Sequence, residues 1–161
     1  MSLGADVDRK LAQYEVPIRR ALDAGVLIVA AAGNNAARTQ GNYAFVGAPA
    51  NSEAALAVSA LDSNFRIADF SARSSSNTGE GGKIDTAAPG VSIYSSWPGP
   101  KRYLSISGTS MATPCVAGIA ALWHEATGLS GAALWNKLMQ NVKPLALPST
   151  DIGAGLVQAP K

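Results

Sequence analysis

Between residues 7 and 24 the apolar positions Val7, Leu11, Tyr14, Ile18 and Leu22 recur at spacings of three and four, the mark of a helix with one buried face. Pro17 interrupts this pattern, either as a kink or as the start of a second helix. Gly25 stands where a left-handed cap would end it. Residues 26–32, Val-Leu-Ile-Val-Ala-Ala-Ala, are continuously apolar rather than alternating, as in a parallel strand buried on both faces. A polar loop over 34–42 leads to a second strand at about 55–61. Residues 71–82 are rich in Ser, Asn and Gly and read as a surface loop. A short strand over 84–88 is stopped by Pro89-Gly90, and 91–95 and 103–107 read as partners around Trp97-Pro98-Gly99-Pro100. A long helix is expected from Ser110 to about 126, with Pro114 near its first turn and Gly128 at its end. Ser130 would cap a last helix carrying Leu134, Leu138 and Val142 on one face.

This order of elements, without repeats or linkers, predicts one α/β domain: a three-layer α/β/α arrangement around a mainly parallel sheet. Composition agrees. The chain has 161 residues, 47% of them hydrophobic and only 15% charged, so it can fill a core and disorder is excluded as its dominant state. Its 13 basic and 11 acidic residues are scattered, leaving no footprint for nucleic acid or an anionic membrane surface. The longest apolar run is far shorter than the roughly 20 residues of a spanning helix. The single cysteine, Cys115, permits no internal disulfide and no zinc pattern. Residues 1–4, Met-Ser-Leu-Gly, lack the form of a secretory signal and read as an expression leader.

Chemistry concentrates at Ser107-Gly108-Thr109-Ser110-Met111-Ala112-Thr113-Pro114, where a serine meets a glycine turn and a helix N-terminus. Unpaired N–H groups and the helix dipole there favour a developing negative charge, the setting a nucleophilic hydroxyl needs. A serine at such a place is by itself more often a cap than a nucleophile. Asn34 follows Gly33 at the carboxyl end of the buried strand, where ligand crevices of α/β sheets lie; alone it would read as a turn residue.

The stretch 108–114 closely resembles the active-site serine segment of the subtilisin-like serine proteases, and Ala30-Ala31-Ala32-Gly33-Asn34 resembles that family's oxyanion-asparagine segment. Gly47-Ala48-Pro49, Ala57-Val58-Ser59-Ala60, Ala68-Asp69-Phe70-Ser71, Ala87-Ala88-Pro89-Gly90-Val91 and the closing Gly153-Ala154-Gly155-Leu156-Val157-Gln158-Ala159 follow in the family's order. The resemblance runs from about residue 16 to residue 159. It implies a serine endopeptidase in which Ser110 is the nucleophile, with the Asn34 amide and the Ser110 N–H as oxyanion donors. Ala31, Ala32 and Gly33, together with Gly47 at the floor and Gly108 and Thr109 beside the serine, would bind substrate. The bond before Pro49 would be cis. No cofactor is implied. Family members often bind calcium, partly through carbonyls near 48–52, but Asp62, Asp69, Glu80 and Asp85 form no close cluster, so no metal site is assigned.

The family's aspartate and histidine motifs have no match. The one histidine, His124, lies fourteen residues beyond Ser110 on the same expected helix, about 21 Å along its axis, and is not its base. Cys115 stands where the family commonly has a second histidine and reads as a small buried hydrophobe; Trp123 and Trp135 read as packing. Residues 1–161 are therefore expected to be the carboxyl-terminal half of a subtilisin-like domain, inactive alone. Its expected partners are a peptide or protein substrate and the missing amino-terminal half, with homo-oligomerisation as a further possibility. The rival reading is a non-catalytic, protease-like module that binds peptides or a partner. Compartment is left open, since the parent of such a portion is compatible with secretion.

Overall fold

A computed structural model describes residues 1–75 and 82–161. The amino-terminal helix α1 (Ala12–Asp23) precedes strand β1 (Ile28–Ala31) and a short 3-10 turn (Arg38–Gln40). Then follow β2 (Ala55–Leu61), β3 (Thr86–Pro89), β4 (Ile93–Ser96), β5 (Tyr103–Ile106), α2 (Thr109–Thr127), α3 (Gly131–Gln140) and α4 (Ser149–Ile152). The surface loop expected over 71–82 falls partly outside the described residues, and Glu80 with it.

The sheet is parallel in the order β1-β2-β3, with Ile28 opposite Ala55 and Val58 opposite Thr86. All seven residues of β2 are buried, which is why its apolar run does not alternate: both faces are covered. One face carries Leu56, Val58 and Ala60 against Val116 and Ala120 of α2 and Leu134 and Leu138 of α3. The other carries Ala55 and Ala57 against Ile18 of α1. The domain is thus α/β, helices flanking a parallel sheet, as the pattern of the sequence implies. Trp123 is in the core and donates its indole N–H to the Gln158 carbonyl at 2.8 Å; Trp135 packs at its margin.

Several expectations shift in detail. The first helix begins at Ala12 rather than residue 7, because Val7 instead joins a turn in which it bonds Ala5 and Ala48. Pro17 lies inside this one helix rather than starting a second. Ser130 holds the N-cap position of α3 but its side chain makes no capping bond, and Val142 falls beyond the helix end. Cys115 is half-buried rather than buried. The β4–β5 hairpin stands off α2, so its neighbour Pro114 and the thiol line an open groove with Ile93, Leu104 and Met111.

β1 is the sheet edge on one side. Its outer face is partly covered by Met1, whose amino group donates to the Val29 carbonyl and whose carbonyl accepts the Ala31 N–H at 3.1 Å. That alternation is the spacing of a parallel ladder. Val26, just before the strand, remains 55% exposed.

At the other edge, Asp85 precedes β3 and accepts the Ala57 N–H at 2.7 Å. Burial lifts its carboxyl from 3.8 to about 6, outweighing that bond and the nearby Lys83, which both favour the charged form. A folded-state value above the unfolded one means that this group contributes stability below pH 3.8 and loses it as pH rises through about 6. Asp85→Asn is expected to flatten the stability profile across that window and to raise stability at pH 8 by about 2 kcal/mol, read from urea unfolding. An unchanged profile would refute the assignment.

Candidate active site

One strand end and one helix end meet at the site. β1 points its carboxyl end at the N-terminus of α2, and the chain leaves β1 through Gly33, whose φ of 126° lies in the region that glycine alone adopts cheaply. This turn places Asn34 beside α2. The Asn34 Oδ1 accepts both the Thr109 N–H and the Thr109 hydroxyl, each at 2.9 Å. Thr109 is fully buried, and its hydroxyl oxygen also accepts the Gly33 N–H at 3.2 Å. Both groups on Thr109 are satisfied by one oxygen of Asn34, so the amide has one orientation, with Nδ2 facing away from them. Nδ2 has no acceptor among the described residues and lies 3.3 Å from the place a Cβ on Gly108 would take.

Ser110 is the second residue of α2 and half-buried. Its N–H and its hydroxyl have no partner among the described residues. The arrangement therefore offers two free N–H donors, from Asn34 Nδ2 and the Ser110 backbone, next to one free hydroxyl at the positive end of a nineteen-residue helix. This can stabilise an oxyanion. Among the described residues no base stands beside it. His124 is exposed near the far end of α2, its Nδ1 2.7 Å from the Leu129 carbonyl, in the direction that fits an Nδ1–H donor. Cys115 is no substitute nucleophile, since burial pushes its thiol up and its Sγ sits 3.5 Å from the Met111 carbonyl.

In front of Ser110 lies a pocket of about 210 Å³. Ala31, Ala32, Gly33, Asn34, Gly47, Thr109 and Ser110 all line it. Gly108 does not; it sits behind as the N-cap of α2, accepting the Met111 N–H at 3.0 Å. Gly47 is at the pocket wall, yet its missing side chain answers another need as well. A Cβ there would come within 2.4 Å of the Ala5 carbonyl oxygen. The peptide bond between Ala48 and Pro49 is cis, as the resemblance implies. Among the described residues no group of three or more His, Cys, Asp or Glu is placed to hold a metal ion.

Sequence reasoning missed the opposite wall. Residues 3–6 line the same pocket, and the Ser2 hydroxyl donates to the Ser110 carbonyl. Ala5 forms an antiparallel bridge with Ala48. The Met-Ser-Leu-Gly segment carries no periodicity, charge or reactive side chain, so only its position reveals that it borders the site.

Known proteins resemble this chain over most of its length. The family described as the Subtilase family matches residues 1–155. Halolysin from Haloferax mediterranei is 41% identical over 133 residues, covering 83% of this chain and 23% of its own. Alkaline elastase YaB from a Bacillus species is 41% identical over 99% of this chain and 38% of its own. Among solved structures, Sphericase superposes with a TM-score of 0.75 at 37% identity over 96% of this chain, and the S41 Psychrophilic Protease with 0.81 at 31% over 98%. They are covered to 50% and 55% of their own lengths. This chain thus spans about half or less of these relatives, and no helix among the described residues is long and apolar enough to cross a membrane. With the motifs in order and the fold superposing over nearly its whole length, the chain belongs to the subtilase family of serine proteases.

Proposed function

We propose that these 161 residues are the nucleophile-bearing, carboxyl-terminal half of a serine endopeptidase domain that cleaves peptide bonds through an acyl-enzyme on Ser110. The observation that carries this reading is the Asn34 amide, pinned through its oxygen by Thr109 so that its Nδ2 is left free beside the Ser110 N–H. When a hydroxyl attacks a peptide carbonyl, that carbonyl oxygen takes up negative charge, and two fixed donors meet it without reorganising. A peptide side chain preceding the cleaved bond would enter the pocket bounded by Ala31, Ala32, Gly33 and Gly47, whose small walls admit a large apolar group. The segment over residues 3–6 supports the reading by closing the pocket's other side.

In the complete protein, Asn34→Ala is expected to lower kcat by about 10²–10³ with little change in KM, the range known for the equivalent donor in subtilisin. Steady-state hydrolysis of a peptide anilide measures it. Unchanged kcat would remove Asn34 from the chemistry.

The proton acceptor for Ser110 and its orienting carboxylate come from outside these residues in this reading. The surface left open supports such a partner: Val26 beside the β1 edge, and Ala117, Ala121 and Leu122 along α2, are exposed. Burying even about 600 Å² of apolar surface is worth on the order of 15 kcal/mol before association costs. The isolated chain is accordingly expected to self-associate at micromolar concentration in size exclusion with light scattering. A monodisperse monomer would show that Met1 covers the edge sufficiently.

A further inference from the structure

A cluster of charge lies behind the site, unused by the chemistry above. Asp151, at the start of the last short helix, is 2% exposed. Its Oδ1 is 2.8 Å from Arg38 Nη1 and 2.6 Å from Arg73 Nε, and Arg73 also donates from Nη2 to Oδ2 at 2.8 Å. The Arg73 guanidinium lies over the Tyr43 ring, 3.7 Å from its centre. Arg38 is the informative member. Besides Asp151, it donates from Nε to the Ser71 carbonyl at 2.7 Å and from Nη2 to the Ala72 carbonyl at 3.4 Å.

These carbonyls lead to the site. The Ala72 N–H donates to the Gly33 carbonyl at 3.2 Å, Gly33 donates to Thr109, and Thr109 holds Asn34. The Ala36 N–H reaches the Phe70 carbonyl at 3.2 Å, and the Arg38 N–H the Asp69 carbonyl at 3.2 Å, so the loop leaving Asn34 is stitched along residues 69–72. One planar fork thus holds the strip to which both ends of that loop are bonded.

We propose that Asp151 and Arg38 are positioning residues for Asn34: the buried carboxylate orients the Arg38 fork, the fork fixes the 69–72 strip, and the strip sets the turn at Gly33 that aims the Asn34 amide at Thr109. The consequence for hydrolysis rests on the oxyanion reading of Asn34; the coupling itself does not.

The Thr109 N–H reports on it directly, because at the first position of α2 its acceptor is Asn34 Oδ1. Amide hydrogen exchange followed by NMR on the 161-residue chain compares it with the Val116 and Ala120 amides in the middle of α2. Arg38→Lys keeps a charge beside Asp151 but has no fork. It is expected to cut protection at Thr109 about tenfold while Val116 and Ala120 keep theirs, and Asp151→Asn is expected to do the same where it folds. Asn34→Ala, which removes the acceptor, sets the scale of complete loss. Unchanged protection at Thr109 in folded Arg38→Lys would overturn the proposal. So would an equal fall at all three amides, which would mean that the cluster holds only the fold as a whole. A selective fall at Thr109, in a protein whose Asn34→Ala variant keeps full turnover, would leave the coupling standing and remove the oxyanion reading instead.

Discussion

Asp151→Ala is expected to destabilise this chain by about 3–5 kcal/mol, a fifth or more of the whole stability of a typical domain. The reason is what the substitution leaves behind. The Arg38 side chain is 8% exposed and the Asp151 side chain 3%, so removing the carboxylate leaves a largely buried guanidinium without its anion. Burial works to raise the Asp151 carboxyl, but hydrogen bonds from Arg73 and Arg38 overcome it and hold the group below its usual range. A lowered folded-state value means that this stability is present above the ordinary carboxylate range and disappears as pH falls through the folded value. The sign is opposite to that of Asp85. The pair between Lys10 and Glu53, also 2.6 Å apart, is expected to contribute far less, because solvent screens it. Urea midpoints for Asp151→Ala and Lys10→Ala compare the two directly. Equal small shifts would show that the buried cluster is no more than a surface pair.

The second large effect concerns Ser110. In the complete protein, Ser110→Ala is expected to remove about 10⁶ of kcat, as loss of the nucleophile does in subtilisin. The 161-residue chain alone is expected to hydrolyse no peptide and to take up little fluorophosphonate at Ser110. Among the described residues its hydroxyl has donors to stabilise an oxyanion but no group placed to accept its proton, and donors without a base retain only the residual part of the acceleration. Rapid stoichiometric labelling of the isolated chain would contradict this. It would point to a base supplied in trans, and His124 of a second copy would then be the group to substitute.

The sequence alone determined the layering. Residues 26–32 and 55–61 are apolar without alternation because both faces of a parallel sheet are covered, and burial on that scale depends little on context. Gly25 and Gly128 ended their helices where expected, with φ of 87° and 70°, because a left-handed residue without a Cβ is a local requirement. Taken alone, Ser110 and Asn34 read as a helix cap and a turn residue; the resemblance of their segments to the subtilisin-like family is what singles them out as candidates.

Only the tertiary structure decided what lies between elements. Nothing local to Asn34 selects which of its amide atoms faces Thr109, seventy-five residues away; the Thr109 N–H and hydroxyl impose it. Residues 3–6 gain their place at the pocket from backbone pairing with Ala48, and Gly47 is glycine partly because the Ala5 carbonyl occupies its Cβ position. Nothing in the sequence around Asp151 marks it out. Its burial, and the two arginines that make that burial tolerable, come from folding the last turn of chain onto the loop behind Asn34. Backbone hydrogen bonds and ion pairs between distant segments leave no periodic trace in a sequence, because they follow from where the packed layers bring the chain rather than from what stands next to each residue.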